Sequence, residues 1–538
     1  MNTQSTVSIS GEIRWRFKPR WIIRGCLVTE TPLFIGSGGI TTRPGLMDDD
    51  GKPVEIADCA RGADGRPVLP GSGLRGVLRT WLERNTSADA SLLDQVFGQD
   101  SQSSSSGRGG EAEILDAPLT LARTGDPPLP HWDRERQTWV EIINSIDREH
   151  GAAAENHLAH FETVAPGCGF EVIITGQSED PDRVIALLLA ALEGFNHPDT
   201  PLTLGGGTAS GKGRLRWELC GVEKMTAADA MGWLRRPSRG MAMEEAFKAV
   251  THPDLTKLRE QACRLQTSAE NRTILPLALY FDGPFLVNDP PPDKIEGEAD
   301  ARPRRDAAGR ALLPAKSVRG VLRTRGEKIL RTLLDLDEAA WQRKEIQHWV
   351  HRRIACRPEI AALACPPLRR AEDREDVLCL ACQLFGAPGW RSPLEISDFV
   401  LASGETQIQE MLAVDRFTGG GKAGAKYNAE AVIDPLLKGR IALDRRRAPS
   451  FGLGLLALVL RDLAEGELGF GWGAAGKGYG RCHKAEIEGW ENADFKQEAT
   501  ESWRGLIEKI TELRKQTAEI TAAEQSGKSS ATGQTEAP

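Results

Sequence analysis

Apolar and polar positions follow one another along this chain in an order that is run through twice. "TETPLFIGSG" (29–38) reads as an apolar strand entering a loop, and "FDGPFLVND" (281–289) repeats that reading. "RPVLPGSGLRGVLRT" (66–80) and "RALLPAKSVRGVLRT" (310–324) come next, 244 residues apart counted from 66 to 310. In each, a Leu-Pro turn feeds a run with apolar residues at helical spacing, which predicts a helix. "VFGQD" (96–100) pairs with "LFGAP" (384–388), and the short alternating strand "AEILDAPL" (112–119) pairs with "LEISDFVL" (394–401). "IDREHGAAAENHLAHFETV" (146–164) and "VDRFTGGGKAGAKYNAEAV" (414–432) share Asp-Arg and set a Glu 15 residues after the Asp, from 147 to 162 and from 415 to 430. Last come the glycine-rich loops "TLGGGTASGKGRLRW" (203–217) and "GFGWGAAGKGYGRCH" (469–483), each with a strand after it.

This order predicts an α+β protein of two tandem modules, each compatible with an RRM-like or ferredoxin-like βαββαβ core. Expected boundaries are 18–222 for the first module, 223–271 for a helical linker, 272–490 for the second module, and 491–538 for a helical and then disordered tail. The Ser/Gly tract "DSQSSSSGRGGE" (100–111) carries no apolar residue and reads as mobile.

Composition changes the picture only locally. The chain has 538 residues and a net charge of −8, with no apolar run of the roughly 20 residues a membrane span needs and no signal core at its start, so a cytoplasmic protein with no membrane partner is expected. Residues 301–330 depart from the acidic mean, with nine Lys or Arg against Asp306 and Glu327. A confined basic strip on an acidic body suits a protein that holds a phosphate backbone in one groove.

Both glycine loops contain G-x-x-x-x-G-K, yet Gly213 and Gly478 stand where a P-loop needs the Ser or Thr that holds Mg²⁺, and both loops run into a strand. A P-loop is therefore excluded. Loop backbone N–H groups with Lys212 and Arg214, or Lys477 and Arg481, are instead candidate RNA contacts. The helix residues Arg75, Arg79, Arg319 and Arg323 stand at i and i+4 and form a second candidate surface, with pairing to an internal acid as the alternative for one of each pair; Arg416 is a further candidate. Trp81, Trp341, Trp390 and Trp472 are candidate base-stacking residues, most of them expected in the core.

Four cysteines crowd into a short segment. Cys379 and Cys382 form C-x-x-C, with Cys356, Cys365, His348 and His351 upstream. Two thiolates on one turn suit tetrahedral zinc. The stretch between RGVLRT and the Phe-Gly is 44 residues longer in the second copy (Thr324 to Phe385) than in the first (Thr80 to Phe97), and an insertion of that size, about 340–385, gains from a metal staple. Cys365, Cys379 and Cys382 are assigned to structural Zn²⁺, with Cys356 or a histidine as the fourth ligand.

Taken together, "PGSGLRGVLR", "CLACQLFG", "VDRFTGG" with Glu430, and the two glycine loops resemble the RAMP proteins of CRISPR systems, above all the backbone subunits of type III effector complexes. The tandem arrangement is similar to the fused proteins of type III-D-like systems. The resemblance implies guide (CRISPR) RNA and target RNA as partners beside other effector subunits, and a β-hairpin thumb in each module that kinks the guide–target duplex. It also implies endonucleolytic cutting of target RNA with Mg²⁺ or Mn²⁺ by an Asp upstream of the P-G-S turn. In "DARPRRDAAGRALLPA" (300–315) that position is Asp300. In "DDDGKPVEIADCARGADGRPVLPGS" (48–72) Asp58 ranks first and the Asp48–Asp50 run, with Asp50, second; Glu55 stands at almost the spacing of Asp300, and an inactive first module stays open. The alternatives are a non-catalytic guide-RNA scaffold, and a metal-independent nuclease that processes precursor guide RNA through His150, His157 or His160.

Overall fold

The computed structural model describes residues 18–531 apart from 48–50, 100–108, 126–128, 130, 147–152, 199–200, 236–245, 266–271, 290–298, 307, 359, 370–372, 416 and 474–476. Asp50 and Arg416 lie outside the described residues, as does most of the Ser/Gly tract.

The first half begins with β1 (Arg20–Thr29) and β2 (Ile56–Cys59), then α1 (Gly71–Asn85), the hairpin β3 (Thr138–Ile146) and β4 (Ala153–Val164), β5 (Gly169–Gln177), α2 (Pro181–Glu193) and β6 (Leu215–Met225). β1 lies between β5 and β6, antiparallel to both. Its alternation follows from the sequence: Trp21, Ile23 and Leu27 point into a core completed by Leu74, Leu78 and Leu82 of α1 and by nearly every residue of α2. Truncating one such fully buried leucine costs about 2–5 kcal/mol.

The second half repeats the plan with β7 (Arg272–Asp282), α4 (Ala315–Leu334), α5 (Leu380–Phe385), β8 (Phe399–Val414), β9 (Gly421–Asp444), α6 (Gly452–Ala464) and β10 (Arg481–Ile487). β7 lies between β9 and β10, antiparallel to both. β9 is 24 residues long and serves both as hairpin partner of β8 and as sheet neighbour of β7, roles that β4 and β5 divide between them in the first half. The architecture is mixed α+β with antiparallel sheets.

Two connecting parts refine the sequence reading. Between the halves, α3 (His252–Leu265) buries Leu258 and Ala262 in the first core, so this helix extends the first half. At the C-terminus, α7 (Ala493–Ala531) seats Leu506, Ile510 and Leu513 in the second core.

Both repeated helices start alike. Pro70 and Pro314 are extended and end the preceding strand. An aspartate between two strands then satisfies the first helical N–H: Asp116 accepts from Gly71 N at 2.7 Å, and Asp398 accepts from Ala315 N at 2.8 Å. Asp116 and Asp398 are the shared aspartate of "AEILDAPL" and "LEISDFVL".

Candidate functional site

The loop before each helix folds on one hydrogen-bond frame, displaced by the same 244 residues as the repeated phrase. Gly62 N bonds Arg66 O at 2.9 Å as Asp306 N bonds Arg310 O at 2.8 Å, and Val68 N bonds Ala60 O at 3.0 Å as Leu312 N bonds Arg304 O at 2.9 Å. Arg61 Nη1 donates to Gly65 O at 3.2 Å, and Arg305 Nη1 to Gly309 O at 2.9 Å. Arg61 Nη2 also bonds Glu162, and Arg305 Nη2 bonds Glu430 at 2.9 Å. The glutamate that follows each Asp-Arg is thus the anchor of this loop, a role the sequence reading left unassigned. Upstream, Ala57 sits parallel to Phe161 and Ala301 parallel to Ala429.

This frame places Asp300 at the position of Ile56. Asp300 is half-buried; its carboxylate accepts from Asn428 N at 3.0 Å, and its own N–H donates to Asn428 Oδ1 at 2.8 Å. Ile56 is fully buried. Asp58 falls at the position of Arg302, and it is held by Arg61 at 2.8 Å. Burial alone would raise its carboxyl; bonding to the Glu162 side and to Arg61 holds it below the ordinary carboxylate value instead. The leading first-module candidate, Asp58, therefore stands two residues past the register of Asp300, and Glu55 stands one residue before it.

Asp58, Cys59 and Glu162 approach one another closely. Glu162, however, is fully buried between Arg61 and Arg43, the latter at 2.6 Å, and accepts from Thr138 Oγ1 at 2.8 Å. Burial pushes the Cys59 thiol up to about 12. A carboxylate already neutralised by two guanidiniums and a protonated thiol make a poor cation site.

The paired helix arginines turn inward. Arg75 donates to Phe97 O at 3.3 Å and Ala112 O at 3.2 Å; Arg319 donates to Phe385 O at 3.4 Å, Ser392 Oγ at 2.7 Å and Leu394 O at 2.9 Å. Arg79 binds Gly98 O, Glu83 and Asp94, while Arg323 binds Gly386 O and Glu327. These guanidiniums clamp α1 and α4 to the segments around the two Phe-Gly turns, and they do not form the outward basic face expected from their spacing.

Arg323 also reaches the cysteines, 3.0 Å from Cys382 Sγ and 3.7 Å from Cys356 Sγ. The thiols of Cys356, Cys365, Cys379 and Cys382 are buried and their sulfurs all lie within 4.8 Å of one another, which fits a four-thiolate structural metal site such as zinc. Hydrogen bonds from Cys365, Cys379 and Cys382, and the nearby Arg323, drive the Cys356 thiol far below its ordinary value. His351 bonds Ala355 O at 3.2 Å and stands outside this group, so the geometry supplies Cys356 as the fourth member.

The glycine loops differ in use. Gly213 and Gly480 have positive φ of 73° and 65°, and a Cβ there would come within 1.9 Å of Leu204 O and 1.7 Å of Phe470 O, so only glycine fits. Gly213 N bonds Pro32 O and Gly480 N bonds Pro284 O, both at the head of the first loop of their half. Lys212 is buried and paired to Glu141 of β3, and Arg214 pairs with Glu30 at 2.8 Å. Lys477 is exposed, bonds Tyr427 Oη at 3.0 Å and lies 3.8 Å above the Trp472 ring, while Arg481 is exposed. Of the other tryptophans, Trp81 is core and Trp390 is covered by Arg374 and Arg447.

Beyond the sheet, the β8–β9 hairpin carries exposed Ile408, Leu412 and Val414, and Phe417 at its tip is fully exposed. The tip turn is held by Asp415, which accepts from Phe417 N at 2.8 Å and Thr418 N at 2.9 Å. The β3–β4 hairpin of the first half exposes Ile142 and Leu158. Of the histidines, burial lowers the His160 imidazole below its ordinary value; His150 lies outside the described residues, as does the side chain of His157. No helix among the described residues is long and apolar enough to cross a membrane.

The family model of the RAMP superfamily matches residues 26–216 and 283–483. No curated protein matches the chain.

Proposed function

Because the chain belongs to the RAMP superfamily, with one matched region in each half, we propose that it is a guide-RNA-binding backbone subunit of a type III CRISPR effector with one target-cutting centre, at Asp300. Superfamily membership implies a CRISPR-associated RNA-binding subunit; the tandem type III-D-like arrangement and the cutting are our own reading. Each half is taken as a ferredoxin-like core, since the antiparallel order β6–β1–β5 with α1 and α2 between its strands suits that fold.

The observation that carries the reading is the shared register, in which the second module offers a half-buried carboxylate where the first offers buried Ile56. A carboxylate beside a splayed nucleotide orients the 2′-OH toward the adjacent phosphorus, and a kinked strand supplies the in-line geometry. The apolar edge of the β8–β9 hairpin, ending in Phe417, is suited to wedge apart a guide–target duplex. Lys477, Trp472 and Arg481 present a cation and an aromatic face to RNA, whereas Lys212 and Arg214 are engaged in ion pairs. Among the described residues no group of three ligating side chains forms at Asp300. Mg²⁺ or Mn²⁺ held by Asp300 would thus rely on RNA oxygens for much of its shell, and it would supply charge stabilisation to the cut.

Target-RNA cleavage by the assembled ribonucleoprotein with Mg²⁺ or Mn²⁺ tests this. Asp300→Ala abolishes cutting and leaves guide binding intact; cutting unchanged in that variant would reject Asp300 as the cutting residue.

A further inference from the structure

The two halves meet at a seam with an unusual charge arrangement. Glu141 of the first half is 1% exposed and faces three cations: Lys212 of its own half, with Arg304 at 3.4 Å and Lys316 at 3.3 Å from the second. Burial alone would raise this carboxyl, and the three cations together hold it below the ordinary carboxylate value. Around it, Arg319 bonds Ala209 O of the first glycine loop, and Arg391 reaches Thr203 Oγ1 at 3.3 Å.

None of this charge recurs at the equivalent places. In the hairpin register Glu141 pairs with Phe161, and Gln409 pairs with Ala429, the residues that align Ala57 and Ala301; Gln409 therefore occupies the Glu141 position. The residue before the loop glycine common to both halves is Lys212 in one and Tyr479 in the other, and Tyr479 donates to Gln409 as Lys212 pairs with Glu141. The 244-residue register sets Ala60 opposite Arg304 and Ser72 opposite Lys316. One protein thus closes this site with a neutral Tyr–Gln bond in its second half and with four charges in its first.

A buried ion cluster adds little stability over a neutral equivalent, so the charges point to selection and placement. Arg304 lies four residues after Asp300, on the loop that carries it. We propose that Glu141 is a positioning residue acting across the seam: the first module, with Ile56 in place of the acid, supplies the carboxylate that locks the Asp300 loop of the second. This rests on the proposed cutting role of Asp300 only for its consequence; the placement itself is independent of it.

Amide exchange of the full-length chain over 299–306 and 315–320 tests the placement. Removing one member of a buried cluster strands the others, so E141Q is expected to speed exchange there by about tenfold while α2 stays protected. Adding R304A and K316S, the residues of the first half at those positions, leaves exchange within about twofold of E141Q, because the same lock is already open. Unchanged exchange in E141Q, or a triple variant in which the two effects multiply, overturns the proposal. Should E141Q fail to fold, R304A/K316S keeps the Lys212–Glu141 pair and still frees the loop; unchanged exchange over 299–306 in it overturns the proposal equally. In the assembled ribonucleoprotein E141Q lowers the cutting rate of bound target without weakening RNA binding, whereas a null effect of Asp300→Ala would reject the cutting role and leave the exchange result standing.

Discussion

Ile56 and Asp300 occupy one structural position, 244 residues apart, each beside a loop pinned by an arginine to a strand glutamate: Arg61 to Glu162 and Arg305 to Glu430. The pairing separates the acid that shares this register from acids that only stand near it in sequence. Asp58 serves its own loop, so Asp58→Ala is expected to lower stability by about 1–2 kcal/mol through the lost bonds to Arg61, and to leave target cutting at the wild-type rate. Denaturant unfolding and a cleavage time course check the two halves of that expectation; a large loss of cutting with stability intact would contradict it.

The four cysteines are expected to hold one Zn²⁺ per chain. Elemental analysis of purified protein should find it, and Cys379→Ser should lose it together with several kcal/mol of second-module stability, because the thiolates close a long insertion onto α4 through Arg323. Retention of full metal content by Cys379→Ser would reject the assignment.

Arg319 is tied to three carbonyls and Ser392 Oγ. Arg319→Ala should therefore destabilise the protein by about 3 kcal/mol by leaving buried acceptors unmet. The dependence of RNA affinity on salt should keep its slope, since no phosphate contact is removed. A slope shallower by about one ion would return Arg319 to the RNA surface.

Glu141 gives the seam an acid limit. Its folded value lies below the unfolded reference of 4.5, so its contribution is complete above that pH and is lost as pH falls through the depressed folded value. The unfolding free-energy difference between wild type and E141Q should stay constant between about pH 7 and pH 5 and shrink below about pH 4.5. A difference that already shrinks near neutrality would show that another group controls the seam.

Much of this was legible beforehand because the helix phrase is repeated nearly verbatim and the cysteines crowd together. Asp300 stands out in the sequence by its place ahead of the turn. Its first-module counterpart does not, because it is no acid, and nothing in the spacing announces a buried isoleucine. Carrying the same 244-residue offset back through Arg61 and Arg305 would have found it. The helix arginines misled for another reason: i, i+4 spacing marks a face, but the carbonyls of Phe97, Ala112 and Leu394 reach that face only through the fold. Glu141 lies too far along the chain from Arg304 and Lys316 for any local pattern to join them.

The central claim is one cutting centre per chain, and counting cuts tests it most directly. A labelled target held by the assembled ribonucleoprotein with Mg²⁺ or Mn²⁺ should yield one cut for each copy of this chain. Every such cut should vanish in Asp300→Ala and persist in Asp58→Ala and Ile56→Ala. Two cuts per copy, or cuts that survive Asp300→Ala, would contradict the account.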